Sequence, residues 1–126
     1  MQINESIENY LERILMLQRT KGCARSVDIA LALGVTKPSV SHATKLLREN
    51  GYITFDSENC ISLTDSGMEI AERMWKRHET LARFLMHLGV TEETALADAC
   101  KMEHDISPET FDAICRHAAH DTAKKA

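Results

Sequence analysis

The sequence predicts a mainly α chain in which three helices and a β-hairpin are followed by three further helices. Three observations carry this. Apolar residues recur at helical spacing over most of the 126 residues. Thr, Ser, Gly and Pro stand at helix-start and helix-stop positions between those stretches. One short region is instead rich in β-branched and aromatic residues. The order α-α-α-β-β-α-α-α opens with the element order of a winged helix-turn-helix.

The elements follow in turn. Ile3, Ile7, Tyr10, Leu11, Ile14 and Leu17 line one face of a first helix over about residues 4–20, which Gly22 ends. Ser26 stands where a cap is needed for a short helix from Val27 to Leu33. Gly34-Val35 turns the chain, and Thr36 caps a third helix with Pro38 in its first turn, where a missing N–H costs no hydrogen bond. That helix stops at Asn50-Gly51. Tyr52-Ile53-Thr54-Phe55 and Cys60-Ile61-Ser62-Leu63 flank the turn residues Asp56-Ser57-Glu58-Asn59, which makes a hairpin. Thr64 or Asp65 caps a long helix to about Leu88, with an inward stripe of Ala71, Met74, His78, Leu81 and Leu85, and Gly89 closes it. Thr91 caps the next helix and sets Glu92 and Glu93 in its positive first turn. Ser107-Pro108 opens a last helix carrying Phe111, Ile114 and Cys115 on one face, and the tail from His120 is expected to fray. The expected division is a winged helix over residues 1–66 and a helical domain over residues 67–126.

Composition bounds the function. A chain with 44% hydrophobic and 27% charged residues is an ordinary globular one with a real core. Its opening residues, Met1-Gln2-Ile3-Asn4-Glu5, have neither the basic start nor the apolar run of a signal peptide, and the longest apolar run, Ile29 to Val35, is far short of a bilayer span. The expectation is a soluble cytoplasmic protein without a membrane partner. Cys23, Cys60, Cys100 and Cys115 form no Cys-x-x-Cys pair, so neither a zinc ribbon nor a secreted disulfide scaffold is indicated. Cys23, Cys60 and Cys115 are expected as small buried hydrophobes.

The formal charge of −4 argues at first against nucleic acid, but it is unevenly spread. From Arg19 to Gly51 six basic residues (Arg19, Lys21, Arg25, Lys37, Lys45, Arg48) face two acidic ones (Asp28, Glu49); this segment carries +4 and the remainder −8. Affinity for DNA depends on the local field at the contact face. A helix-turn-helix also needs a small residue at the helix crossing, a glycine in the turn and apolar locking residues. Ala30 and Gly34 meet the first two needs, and Ile29, Leu33, Val35, Val40 and Ala43 the third. With Val40, Ala43 and Leu47 inward, Lys37, Pro38, Ser39, Ser41, His42 and Lys45 point outward from the N-terminal end of the third helix, the end that meets base edges in this motif. Lys45 and Arg48 suit phosphates, Pro38, Ser39 and His42 are the candidates for base or methyl contacts, and Arg25 is a further candidate DNA-binding residue.

A second constellation lies at Cys100-Lys101-Met102-Glu103-His104. On a helix Cys100, Glu103 and His104 share one face, so a thiolate, a carboxylate and an imidazole converge within a turn. His78 lies in the inward stripe of the long helix, and Asn9 and Glu12 share a flank of the first. Singly, each has a plainer reading: His78 as a core histidine, Glu12 as a surface carboxylate.

Taken together, these residues resemble the diphtheria-toxin-repressor family of iron- and manganese-dependent transcription repressors. The resemblance rests on Glu8-Asn9-Tyr10-Leu11-Glu12, on Val27-Asp28-Ile29-Ala30 through Val40, and on Leu63-Thr64-Asp65-Ser66-Gly67. It continues in Arg77-His78, Phe84-Leu85 and Cys100-x-x-Glu103-His104, and spans about residues 4 to 117. It implies a winged helix-turn-helix DNA-binding domain followed by a helical metal-binding and dimerisation domain, with a divalent ion (Fe2+ or Mn2+) promoting operator binding by a homodimer. It implies a main regulatory site at Asn9, Cys100, Glu103 and His104, to which the manganese-type branch adds Glu12 and His78. Asn9 stands where the family has methionine or aspartate. Ala82 and Leu96 stand where the iron-type ancillary site needs a carboxylate and a histidine, and the C-terminal Src-homology-like domain is missing. Cys100 leans towards iron or a softer ion, Glu12 and the short chain towards manganese.

The expected partners are double-stranded operator DNA and a second copy of the chain, held by apolar faces that include Leu96, Ala99, Phe111 and Ile114, with no small-molecule substrate. A metal-independent winged-helix regulator with a structural Cys/Glu/His cluster is the alternative. An enzyme is not expected: there is no His-Glu-x-x-His, no Gly-rich phosphate loop and no Ser/His/Asp arrangement.

Overall fold

The structure is a computed structural model that describes residues 5–125. Its elements are α1 (Glu5–Lys21), α2 (Ser26–Leu33), α3 (Lys37–Glu49), β1 (Ile53–Phe55), β2 (Ile61–Leu63), α4 (Asp65–His87), α5 (Glu92–Asp105) and α6 (Pro108–Lys125). The order is the one expected, and Ile3 lies outside the described residues. The chain divides into two compact units, Met1–Arg73 and Met74–Ala126, the division falling within α4.

In the first unit α1 packs against α2, α3 and β2. Tyr10, Leu11, Ile14, Leu15, Ile29, Val40, Leu47, Ile53 and Ile61 are buried here. Tyr10's phenol is pushed up by that burial. Gly34 takes φ 67°, the left-handed conformation that the helix-turn-helix corner needs and that a side chain disfavours. Thr36 caps α3 by accepting from the Ser39 amide, with Pro38 in the first turn. The hairpin is antiparallel in the register Ile53–Leu63, Thr54–Ser62 and Phe55–Ile61. Its turn is held by the Asp56 carboxylate, which accepts from the amides of Glu58 and Cys60. Gly67 lets the first turn of α4 approach the Tyr52 carbonyl so closely that a Cβ there would collide with backbone.

Several expectations need correction. Ser26 is the first residue of α2 rather than its cap; Arg25 holds the cap position with extended backbone and no capping side chain. Val35 is 38% exposed and locks nothing, because the left-handed Gly34 swings the chain outward. Thr44 is the buried residue where Ala43 was expected to lock; its hydroxyl is satisfied by donating to the Val40 carbonyl (2.8 Å), which makes burial tolerable. Cys23 and Cys60 are half-buried and joined by a disulfide, with Cα atoms 5.6 Å apart. An isolated bridge explains the meeting: the Ile61 amide donates to the Ala24 carbonyl at 2.7 Å, drawing together the segments that hold both cysteines. Cys115 is also half-buried.

In the second unit Leu81, Ala82 and Ala99 form a buried cluster, with Met102, Ile106, Phe111 and Ile114 packed on it. Thr91 caps α5 through the Thr94 amide, and the Ser107 hydroxyl accepts from the Thr110 amide at the start of α6. Ala99 is fully buried in the unit's own core with Phe111 and Ile114 half-buried against it, while Leu96 (41% exposed), Met86 and Leu88 remain on the surface. The helix α6 runs on to Lys125, beyond the expected fraying point.

Candidate metal centre and nucleic-acid interface

The exposed face of the first unit is built by α3, the start of α2 and the hairpin. Lys37, Pro38, Ser39, Ser41, His42, Lys45 and Arg48 are all exposed on α3, as their spacing demands once Val40, Thr44 and Leu47 turn inward. A concavity of about 440 Å³ is lined by Arg25, Ser26, Ser41, Thr44, Lys45, Arg48, Phe55 and Asn59. Arg48 lies over the Phe55 ring, 5.5 Å from its centroid, and Arg25 donates to the Glu58 carbonyl (3.2 Å) at the hairpin turn. The groove therefore presents three cations, two of them steadied by the hairpin. Ser26 opens α2 beside them, and helix N-termini favour anions. Of the sequence-expected DNA residues, Arg25, Ser41, Lys45 and Arg48 meet in this groove, while Lys37, Pro38, Ser39 and His42 stand along the same helix outside it.

The second unit holds the opposite kind of site. Glu103 is fully buried (0% exposed) on the inward face of α5. Its Oε2 lies 3.4 Å from Nδ1 of His78 on α4, and its Oε1 lies 3.3 Å from Nε2 of His104, whose side chain is 1% exposed. His78 reaches this place because it continues the Ala71–Met74–Leu81 stripe of α4. Cys100 is half-buried on α5, three residues before Glu103 and so on its flank. Asn9 and Glu12 belong to α1 of the first unit, Asn9 half-buried and Glu12 only 4% exposed. Glu12 is therefore not the surface carboxylate its residue type suggests.

Both parts of the chain have known relatives. The N-terminal DNA binding domain of the iron dependent repressors matches residues 2–59, and their metal binding and dimerisation domain matches residues 64–124. The transcriptional regulator MntR of Escherichia coli O157:H7 is 41% identical over 110 residues, covering 87% of this chain and 71% of that protein. The HTH-type transcriptional regulator MntR of Bacillus subtilis (strain 168) is 37% identical over 123 residues, covering 95% and 87%. The chain belongs to the iron-dependent repressor family. Among solved structures, a manganese-dependent transcriptional repressor in complex with manganese aligns at TM-score 0.81 and 26% identity, covering 90% of this chain and 52% of that one. The IdeR of T. acidophilum aligns at 0.78 and 27%, covering 93% and 55%. This chain spans about half the length of those structures.

The residues present fit the ion such a repressor carries. Nitrogen and carboxylate donors suit a divalent first-row metal. The two imidazole–carboxylate separations, 3.3 and 3.4 Å, exceed a good hydrogen bond. Two donors that each sit about 2.1 Å from one ion, at right or tetrahedral angles, are about 3.0–3.4 Å apart. Glu103 is a fully buried carboxylate between two imidazoles, a place where a bound cation offsets the cost of burying its charge. At the positions that the resemblance assigns to an iron-type ancillary site, Ala82 is core and Leu96 lies on the surface. Phe55 and Asn59 of the hairpin escaped the sequence reading. Phe55 reads as an ordinary strand residue there, because only the fold reveals its guanidinium neighbour.

Proposed function

We propose that this chain is a metal-dependent transcriptional repressor, in which Fe2+ or Mn2+ promotes binding of a homodimer to double-stranded operator DNA in the cytoplasm. It is a regulator and not a catalyst. The observation that carries the reading is the fully buried Glu103 carboxylate flanked by His78 and His104, in a chain whose other unit offers a basic groove. His78, Cys100, Glu103 and His104 are the proposed ligands from the second unit, and Asn9 and Glu12 from α1 complete the set. The ion would supply positive charge to a buried anionic site and restrain α1, the helix on which α2 and α3 pack. Manganese is the first ion to test, since the curated relatives are MntR proteins and one solved neighbour is manganese-dependent. Dimerisation is supported by the family's domain and by Leu88 and Leu96, left 61% and 41% exposed on the second unit.

On α3, His42, Ser39 and Pro38 are the proposed base or methyl contacts. Lys37, Ser41, Lys45 and Arg48 are proposed to serve phosphates, together with Arg25. The test is reciprocal coupling. Mn2+ or Fe2+ is expected to tighten operator binding by about 1–3 kcal/mol, and operator DNA to tighten metal binding by the same factor. Equal DNA affinity with metal and with chelator would favour the metal-independent regulator and leave the Cys/Glu/His cluster a structural one.

A further inference from the structure

The Cys23–Cys60 pair takes no part in the metal or DNA chemistry described above, yet it sits where it controls the DNA face. The two cysteines are 37 residues apart, so the bond closes a loop that contains α2, α3 and β1, the whole helix-turn-helix with one strand of the hairpin. Cys23 stands two residues before Arg25 and one residue after the left-handed Gly22 that ends α1. Cys60 follows Asn59 and enters β2. Arg25 and Asn59 are both groove-lining residues, and Arg25 donates to the carbonyl of Glu58, the neighbour of Asn59. The crosslink therefore ties the segment before α2 to the end of the hairpin turn beside the groove. Beside it the Ile61 amide donates to the Ala24 carbonyl (2.7 Å), the Gln18 side-chain amide to the Ile61 carbonyl (2.8 Å) and the Arg25 guanidinium to the Glu58 carbonyl (3.2 Å).

We infer that Cys23 and Cys60 are a reversible thiol–disulfide switch that sets how firmly the hairpin is held against the helix-turn-helix, and hence the DNA affinity of the groove. Both residues are half-buried, so a small disulfide or thiol can reach one sulfur while the other is held within bonding distance. With a low-molecular-weight disulfide such as oxidised glutathione as oxidant, one protein thiolate attacks it and releases one glutathione thiol. The second protein thiolate then attacks the mixed disulfide and releases the other. Two electrons pass from the protein sulfurs to glutathione, the two protons end on the released thiols, and excess reduced glutathione runs the sequence backwards. Cys100 and Cys115 are outside this disulfide. At Cys115 burial, helped by the Asp112 carboxylate, pushes the thiol up and disfavours the reactive thiolate. With the staple open, hairpin and α1–α2 connection keep their hydrogen bonds but gain freedom. Ordering them on DNA then costs more, so the reduced form binds more weakly.

The DNA consequence rests on the proposed repressor reading; the thiol chemistry does not. The full-length chain is equilibrated in glutathione buffers of graded redox poise, alkylated and mapped by mass spectrometry. Amide hydrogen exchange over residues 53–63 and binding to an operator-length duplex are followed in parallel. The expected results are a reversible Cys23–Cys60 bond, slower hairpin exchange in the oxidised form and duplex binding tighter by about fivefold when oxidised. Cys23→Ser and Cys60→Ser should bind like the reduced protein at every poise. Absence of a reversible bond, pairing with Cys100 or Cys115 instead, or identical hairpin exchange in the two forms overturns the switch. Equal duplex binding by both forms also overturns it while leaving the DNA reading intact. If neither form binds any duplex the repressor reading fails, and hydrogen exchange alone decides the switch.

Discussion

The two units place their chemistry at opposite ends of the solvent scale. Every proposed DNA contact of the first unit is exposed: Lys37, Pro38, Ser39, Ser41, His42, Lys45 and Arg48 on α3, and Arg25 before α2. Of the proposed ligands that the second unit contributes, Glu103 is 0% and the His104 side chain 1% exposed, and His78 and Cys100 are half-buried. An exposed cation is screened by water and salt, so it contributes little to folding and can be tuned singly. A buried carboxylate is tied to the stability of what surrounds it. Substitutions in the first unit should therefore change recognition without changing the fold, whereas in the second unit recognition and stability should move together.

The largest expected effect is the loss of the buried centre. Glu103→Ala and His104→Ala should each weaken Mn2+ binding by at least about a hundredfold, beyond the 10–100-fold that outer partners of a metal ligand typically cost. Isothermal titration of the protein with Mn2+ and Fe2+ measures this. If both variants bind metal as the parent does, the buried cluster is not the ligand set and the contrast between the units loses its chemical basis.

Metal removal is the next largest. A ligand that binds only the folded form stabilises by mass action, about 2.7 kcal/mol at a hundred times its dissociation constant. Thermal unfolding with and without a chelator should show that difference, and Lys45→Ala should not alter it, since Lys45 is an exposed residue of the other unit. A chelator effect near zero would mean that the buried charges are compensated by the protein alone.

His42→Ala sharpens the other side of the comparison. Standing exposed on α3, His42 can reach a base edge, and its loss should alter discrimination between operator and variant sites by about 1–3 kcal/mol. Stability should move by no more than about 0.5 kcal/mol, as for most surface substitutions. Competition binding against single base-pair variants of the operator separates a base contact from a phosphate contact, which would weaken all sequences alike.

Much of this contrast was legible in the sequence, and what was not had physical causes. Helix order, the Gly34 corner, the Thr36 and Thr91 caps and the outward face of α3 follow from periodicity and local hydrogen bonding. The inward placement of His78 follows from its position in the α4 stripe. Long-range pairing is another matter. The Cys23–Cys60 bond depends on a bridge between Ala24 and Ile61, residues that no local pattern connects. The burial of Glu12 runs against its residue type, and the exposure of Val35 depends on how the chain leaves Gly34. Ala99 is core rather than part of an outer face, since an apolar stripe does not say what covers it.

The smallest expected effect tests whether the groove is as independent of packing as its exposure suggests. Arg48 is exposed, yet its guanidinium sits over the Phe55 ring of β1 at 5.5 Å, within the range where the ring's negative face attracts a cation. At an exposed site that attraction is worth about 0.5–1 kcal/mol. Its main effect is to hold a long, rotamer-rich side chain near one position before DNA arrives. Phe55→Leu keeps an apolar side chain at this half-buried strand position but removes the ring face. It should weaken duplex binding by about two- to fivefold, the equivalent of that energy, and leave the salt slope unchanged because Arg48 still neutralises its phosphate. Arg48→Ala should instead reduce the slope by about one unit. Once Arg48 is absent, Phe55→Leu should have no further effect on binding. A double-mutant cycle read at several salt concentrations measures this directly. Additive losses from the two substitutions would show that Phe55 acts on DNA or on the hairpin, and not through Arg48.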